Sequence, residues 1–126
     1  MRKNIAAGNW KMNTTLNEGI ELALAVNNFV KEQGNEQTVV IIAPPFTHLT
    51  EISKVIDPSR VFLSAQNCAS EEKGAFTGEV SPAMIKSTGA GYTIIGHSER
   101  RNYQEESDEL LNKKVNNALA HDLIPI

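Results

Sequence analysis

The chain has 126 residues, a net charge of −3 at neutral pH and a single cysteine, the size and balance of one soluble domain. Its slightly acidic character argues against nucleic acid, whose binders carry a basic face, and no apolar run approaches the roughly 18 residues of a membrane span. Cys68 has no cysteine to pair with and fits a reducing compartment. The start, Met1-Arg2-Lys3-Asn4, lacks a secretory pattern, so the expected location is cytoplasmic.

Ile5 to Trp10 reads as a first strand of small residues, closed by Lys11-Met12-Asn13. From about Asn17 to Lys31 the apolar residues Ile20, Leu22, Ala23, Val26, Phe29 and Val30 recur at helical spacing. Gly34 supplies the stop. Val39 to Ala43 is a continuous β-branched run, as expected of a strand buried on both faces, and Pro44-Pro45 ends it. Thr47 is expected to cap a short helix carrying Leu49, Ile52 and Val55, terminated by Asp57-Pro58.

Val61 to Ala65 is a third strand, followed by a loop from Asn67 to Val80 that is too long and too polar for a simple connector. Cys68 is expected to pack at the base of that loop. Ser81-Pro82 is a strong helix start, a capping hydroxyl with proline at the first helical position, and that helix stops at Gly89. Tyr92 to Ile95 is a fourth strand. Ser107 caps a longer helix with Asp108 and Glu109 in its positive first turn. Leu111, Val115, Ala118 and Leu119 are expected to face its core, with His121 near its end and His48 at another helix end. Leu123 to Ile126 begins a fifth strand.

The fourth strand carries the strongest signal. It ends at Gly96, where a bare backbone permits a sharp turn, and empties into His97-Ser98-Glu99-Arg100-Arg101. A buried parallel strand that runs into a polar cluster is where α/β folds place their chemistry. The order is βα four times plus one strand, with strand starts roughly 20 to 35 residues apart, the size of successive βαβ units. Read from the residues alone, five parallel strands also suit an open doubly wound, flavodoxin-like binder, or a non-catalytic scaffold acting through the loop around Thr77.

Asn9-Trp10-Lys11-Met12-Asn13, Gly74-Ala75-Phe76-Thr77-Gly78-Glu79 and Gly96-His97-Ser98-Glu99-Arg100-Arg101 follow the first, third and fourth strands in that order. Together they resemble the triosephosphate isomerase family, and the similarity runs from Ile5 to the end. The resemblance implies a TIM (β/α)₈ barrel of typically about 250 residues. Residues 1–126 then form a single partial domain, the first four βα units and a stub of the fifth strand, ended within the barrel. The family's glutamate base, its lid loop after strand six and its glycine-rich phosphate loops after strands seven and eight fall outside such a half. The 126 residues alone are therefore expected to be inactive, and two open sheet edges to favour aggregation or self-pairing.

The implied reaction interconverts dihydroxyacetone phosphate and glyceraldehyde 3-phosphate through an enediolate. By resemblance His97 is the electrophile, a neutral ring favoured by the positive end of a helix beginning after Gly96. Lys11 supplies a cation to phosphate and oxyanion, and Asn9 orients both. Glu99 supports Lys11, and Ser98 matches a serine that holds the absent glutamate. The loop carries Thr77 into a neighbouring subunit of a homodimer, with Glu79, Arg100 and Met12 at that interface. There is no CxxC, HExxH, GxGxxG or GxxxxGK[ST] pattern, so neither metal nor nucleotide cofactor is implied.

Overall fold

In this computed structural model, which describes residues 2–126, five parallel strands pair in chain order: β1 (Asn4–Asn9), β2 (Thr38–Ala43), β3 (Val61–Ala65), β4 (Tyr92–Thr93) and β5 (Ile124–Pro125). The connections carry α1 (Leu16–Gln33), α2 (Leu49–Ser53), α3 (Pro82–Ser87), α4 (Ser98–Tyr103) and α5 (Asp108–Ala120), with a 3₁₀ turn at Phe46–His48. Strand order without a reversal leaves no topological switch point, which removes the flavodoxin-like alternative. The sheet curls into half a barrel.

Strand alternation divides the side chains between two layers. Ile42, Val61, Leu63, Ala65 and Leu123 turn to the convex side, where they join Ala23, Leu49, Ile52, Ile85 and Ala118 in one buried cluster. Each fully buried valine, leucine or isoleucine among them contributes about 1.5–3 kcal/mol, so this layer holds the helices to the sheet. The alternate residues, among them Ala7, Ile41, Ser64, Ile94 and Ile126, line the concave side.

The two edges differ. Asn4 and Trp10 donate their N–H groups toward β2, so the ladder turns the peptide groups of Ile5, Ala7 and Asn9 to the open side. Ile5 is 63% exposed. At β5, Ile124 and Ile126 donate to Gly91 and Thr93, which leaves Pro125 facing outward with no N–H, the kind of place where a strand tolerates proline.

Four expectations need correction. Thr47 does not cap: it lies inside the 3₁₀ turn, and its hydroxyl pairs with Nδ1 of His48 at 2.8 Å instead. The helix it was to start ends at Ser53, with Val55 in the turns that follow. Leu119 is 55% exposed, because α5 turns Leu111, Lys114, Asn117 and Ala118 inward. On α1, Leu22 and Phe29 are also exposed; Ala23 and Val30 occupy the buried stripe. That helix packs against α2 and the 3₁₀ turn.

His48 is at a helix junction, as expected, but it is also 4% exposed. Its Nε2 lies 3.0 Å from the Thr15 carbonyl oxygen, so the ring takes the Thr47 hydroxyl hydrogen on Nδ1 and donates from Nε2 to the start of α1. Gly19 lets the ring approach: a β-carbon there would stand 2.3 Å from His48 Cδ2. Gly19→Ala should therefore destabilise the fold by about 1–3 kcal/mol, despite alanine's better helix propensity. A denaturant midpoint equal to or above that of the parent would contradict this packing.

Candidate functional site

The polar groups at the strand ends are set by turns. Gly96, three residues beyond the end of β4, has φ 73°, a left-handed turn that delivers His97 to the start of α4. His97 is the N-cap residue of that helix, and its Nδ1 accepts the Glu99 backbone N–H at 3.2 Å. An acceptor nitrogen carries no proton, so this bond selects the ring with hydrogen on Nε2. The Glu99 carboxylate also passes within 3.6 Å of Nδ1. That is too long for a hydrogen bond, and the amide decides the tautomer.

Glu99 reaches the other way to Lys11. Its Oε1 accepts from Lys11 Nζ at 2.7 Å, and this hydrogen bond holds the Glu99 carboxyl below the ordinary carboxylate range. Both side chains are about half exposed, so the pair contributes little to stability. Its consequence is positional. Lys11 has φ 58°, and its N–H donates to Asn9 Oδ1 at 2.9 Å, the side-chain turn asparagine favours. With Oδ1 engaged, the NH₂ of Asn9 remains to donate. Asn9 and His97 line one cavity of about 180 Å³ with Ala7, Ile41, Ser64 and Ile94.

Lys11, Asn9, Glu99 and His97 are thus gathered at one end of the sheet. Ser98 is exposed in the first turn of α4. Thr77 is exposed on the loop, whose ends are closed by an Ala69 N–H to Val80 carbonyl bond of 2.9 Å. Met12 is 96% exposed. Glu79 and Arg100 line a second cavity, of about 300 Å³, beside that loop, and Arg100 pairs with Glu106 at 2.9 Å. No group of three or more histidine, cysteine, aspartate or glutamate side chains among the described residues is arranged to hold a metal ion.

Sequence reasoning missed the cluster behind the loop. Lys114 and Glu106 are 4% and 6% exposed and form an ion pair. Lys114 also donates to Asn67 Oδ1 at 2.8 Å. Asn117 reaches the Ala69 carbonyl at 3.1 Å, and Cys68, fully buried there, has its thiol pushed up by burial, which makes it unreactive. The available signal was spacing. Lys114 lies three residues after Leu111 and four before Ala118, on the apolar stripe of α5.

The fold and this site define a parallel barrel-type α/β chain with polar groups gathered beyond the carboxyl ends of its strands. A family model described as triosephosphate isomerase matches residues 4–126. The chain belongs to the triosephosphate isomerase family. It is 52% identical over all 126 residues to a triosephosphate isomerase of Bacteroides fragilis and 53% identical to one of Porphyromonas gingivalis. A third relative of that name, from Caldanaerobacter subterraneus subsp. tengcongensis, is 51% identical. In each case all of this chain aligns with 50% of the relative, so the chain spans about half the length of the curated relatives it matches.

Proposed function

We propose that these residues supply the oxyanion-holding part of a triosephosphate isomerase site, which interconverts dihydroxyacetone phosphate and glyceraldehyde 3-phosphate through an enediolate. The observation that carries this reading is the Glu99 bridge. Its carboxylate holds the Lys11 ammonium at 2.7 Å, and its backbone N–H fixes the His97 ring at 3.2 Å. One residue links a cation beyond β1 to an imidazole donor beyond β4.

In this reading the Nε2–H of His97 donates to the substrate oxygen as charge develops on it, a neutral donor that does not protonate the enediolate outright. Lys11 neutralises phosphate and oxyanion charge, and the Asn9 amide donates beside them. Donors of this kind are each worth about 2.7–4 kcal/mol of barrier. Glu99 is engaged by Lys11, and the resemblance to the family assigns the carbon-bound proton to a glutamate base other than Glu99. Proton transfer without redox change needs no cofactor.

The partner in this reading is a second copy of the protein. It is met through the Thr77 loop, with Met12, Glu79 and Arg100 on the same interface, and the exposure of Met12 and Phe76 supports it. Ser98 serves the open form of the site. No helix among the described residues is long and apolar enough to cross a membrane, and a cytoplasmic location fits the reaction.

Joining this chain to the remaining half of the Porphyromonas gingivalis relative tests the reading. The joined protein should isomerise triose phosphates in a coupled assay, while the 126 residues alone give no turnover above buffer. A folded joined protein without turnover would sink the proposal.

A further inference from the structure

Lys11 is one of four non-glycine residues with a positive φ among the described residues, a conformation that costs an L-residue about 1–2 kcal/mol. Such a residue persists only where its surroundings hold it. The Asn9 side chain holds the N–H of Lys11. The carbonyl is held from a different strand. Gln66, the first residue after β3, donates from Nε2 to the Lys11 carbonyl at 2.8 Å and to the Ala43 carbonyl at 2.8 Å. The NH₂ group has two hydrogens, and each has its own acceptor. This amide ties the segment beyond β1 to the last residue of β2. Two accepting carbonyls also fix which end of the amide faces them.

We propose that Gln66 is a positioning residue that clamps the Lys11 peptide in its left-handed conformation and thereby sets the Lys11 ammonium beside Glu99. It touches no substrate; it acts through Lys11. The inference deepens the functional reading above, since it matters to catalysis only if Lys11 meets the substrate, but the clamp is testable without turnover. Remove the two donors, and the Lys11 carbonyl loses its only side-chain partner among the described residues. The peptide can then relax to negative φ, and the side chain leaves on a different course.

Glu99 reports where the ammonium is, because the Lys11 hydrogen bond is the main cause of its lowered pKa, with His97 making the smallest contribution. The experiment follows the Glu99 side-chain carboxyl by ¹³C NMR through an acid titration of the 126-residue chain and of its Gln66→Met and Lys11→Met variants. Asp57 is the control, since its carboxyl is lowered mainly by hydrogen bonds from Ser59. Gln66→Met should move the Glu99 midpoint upward, toward its value in Lys11→Met, and leave Asp57 in place. A Glu99 midpoint that stays at the parental value in Gln66→Met, while Lys11→Met raises it, overturns the clamp and leaves the isomerase reading standing. A midpoint unmoved even in Lys11→Met overturns the clamp by removing the Lys11–Glu99 bond on which it depends. If Gln66→Met does not fold, Gln66→Asn decides by the same outcomes. Its amide is one methylene short and cannot keep both 2.8 Å bonds.

Discussion

Replacing Lys114 with methionine is expected to destabilise the fold by about 3–5 kcal/mol, the cost of leaving a buried charge without its partner. Glu106 accepts from Lys114 on one oxygen and from Arg100 on the other. Without Lys114 it keeps only Arg100, and Asn67 Oδ1 loses its 2.8 Å donor. The ion pair joins α5 to the base of the Thr77 loop and to the segment after α4, so three elements loosen together. A loss of this size is a large part of the 5–15 kcal/mol that holds an ordinary domain. Denaturant midpoints followed by circular dichroism read it directly, and a variant within 1 kcal/mol of the parent would contradict the role assigned to the pair.

The same pair makes stability depend on acid. Burial pushes the Glu106 carboxyl up, but the hydrogen bonds from Lys114 and Arg100 outweigh it, and the net shift is downward from 4.5. A carboxylate with a depressed folded pKa adds stability above its unfolded value. That contribution fades as pH falls below 4.5 and is gone once pH is under the folded value. The parent should lose stability in that window, and Lys114→Met should lose less of it.

In the joined protein, His97→Gln should lower kcat by about 10²–10³, the usual effect of removing one oxyanion donor. KM should change little, because the interaction is made mainly as charge develops on the oxygen. Glutamine retains polarity and volume but presents its amide on a flexible chain, without the ring orientation that the Glu99 N–H imposes. Steady-state kinetics with either triose phosphate measure it. A loss smaller than tenfold would mean that the imidazole is not the donor.

The sequence made the strands and the polar end of β4 legible for one physical reason. Strands buried in a parallel sheet need unbroken apolar runs, as in Val39 to Ala43, and any polar cluster at their ends stands out against that background. The caps at Ser81 and Ser107 were equally readable, and both hydroxyls accept the N–H three residues on, at 3.2 Å. Thr47 misled because Pro45 ahead of it starts a 3₁₀ turn, which places the threonine inside the turn. Leu119 misled because α5 spends its inward positions on Lys114 and Asn117, polar residues that hydrophobic periodicity reads as solvent-facing.

Within the site, spacing and composition marked the ends of β1 and β4 but not the glutamine between them. A glutamine after a strand is unremarkable until its amide is seen spanning two carbonyls. The positive φ of Lys11, which makes that clamp necessary, has no signature in a lysine codon or its neighbours.

The backbone of α4 holds His97 with a bare Nδ1 and a proton on Nε2. ¹⁵N NMR of histidine-labelled chain at neutral pH measures the two nitrogens separately. The expected result is an unprotonated Nδ1 that shifts when the Glu99 amide bond is perturbed, and a protonated Nε2. A proton found on Nδ1 would contradict it.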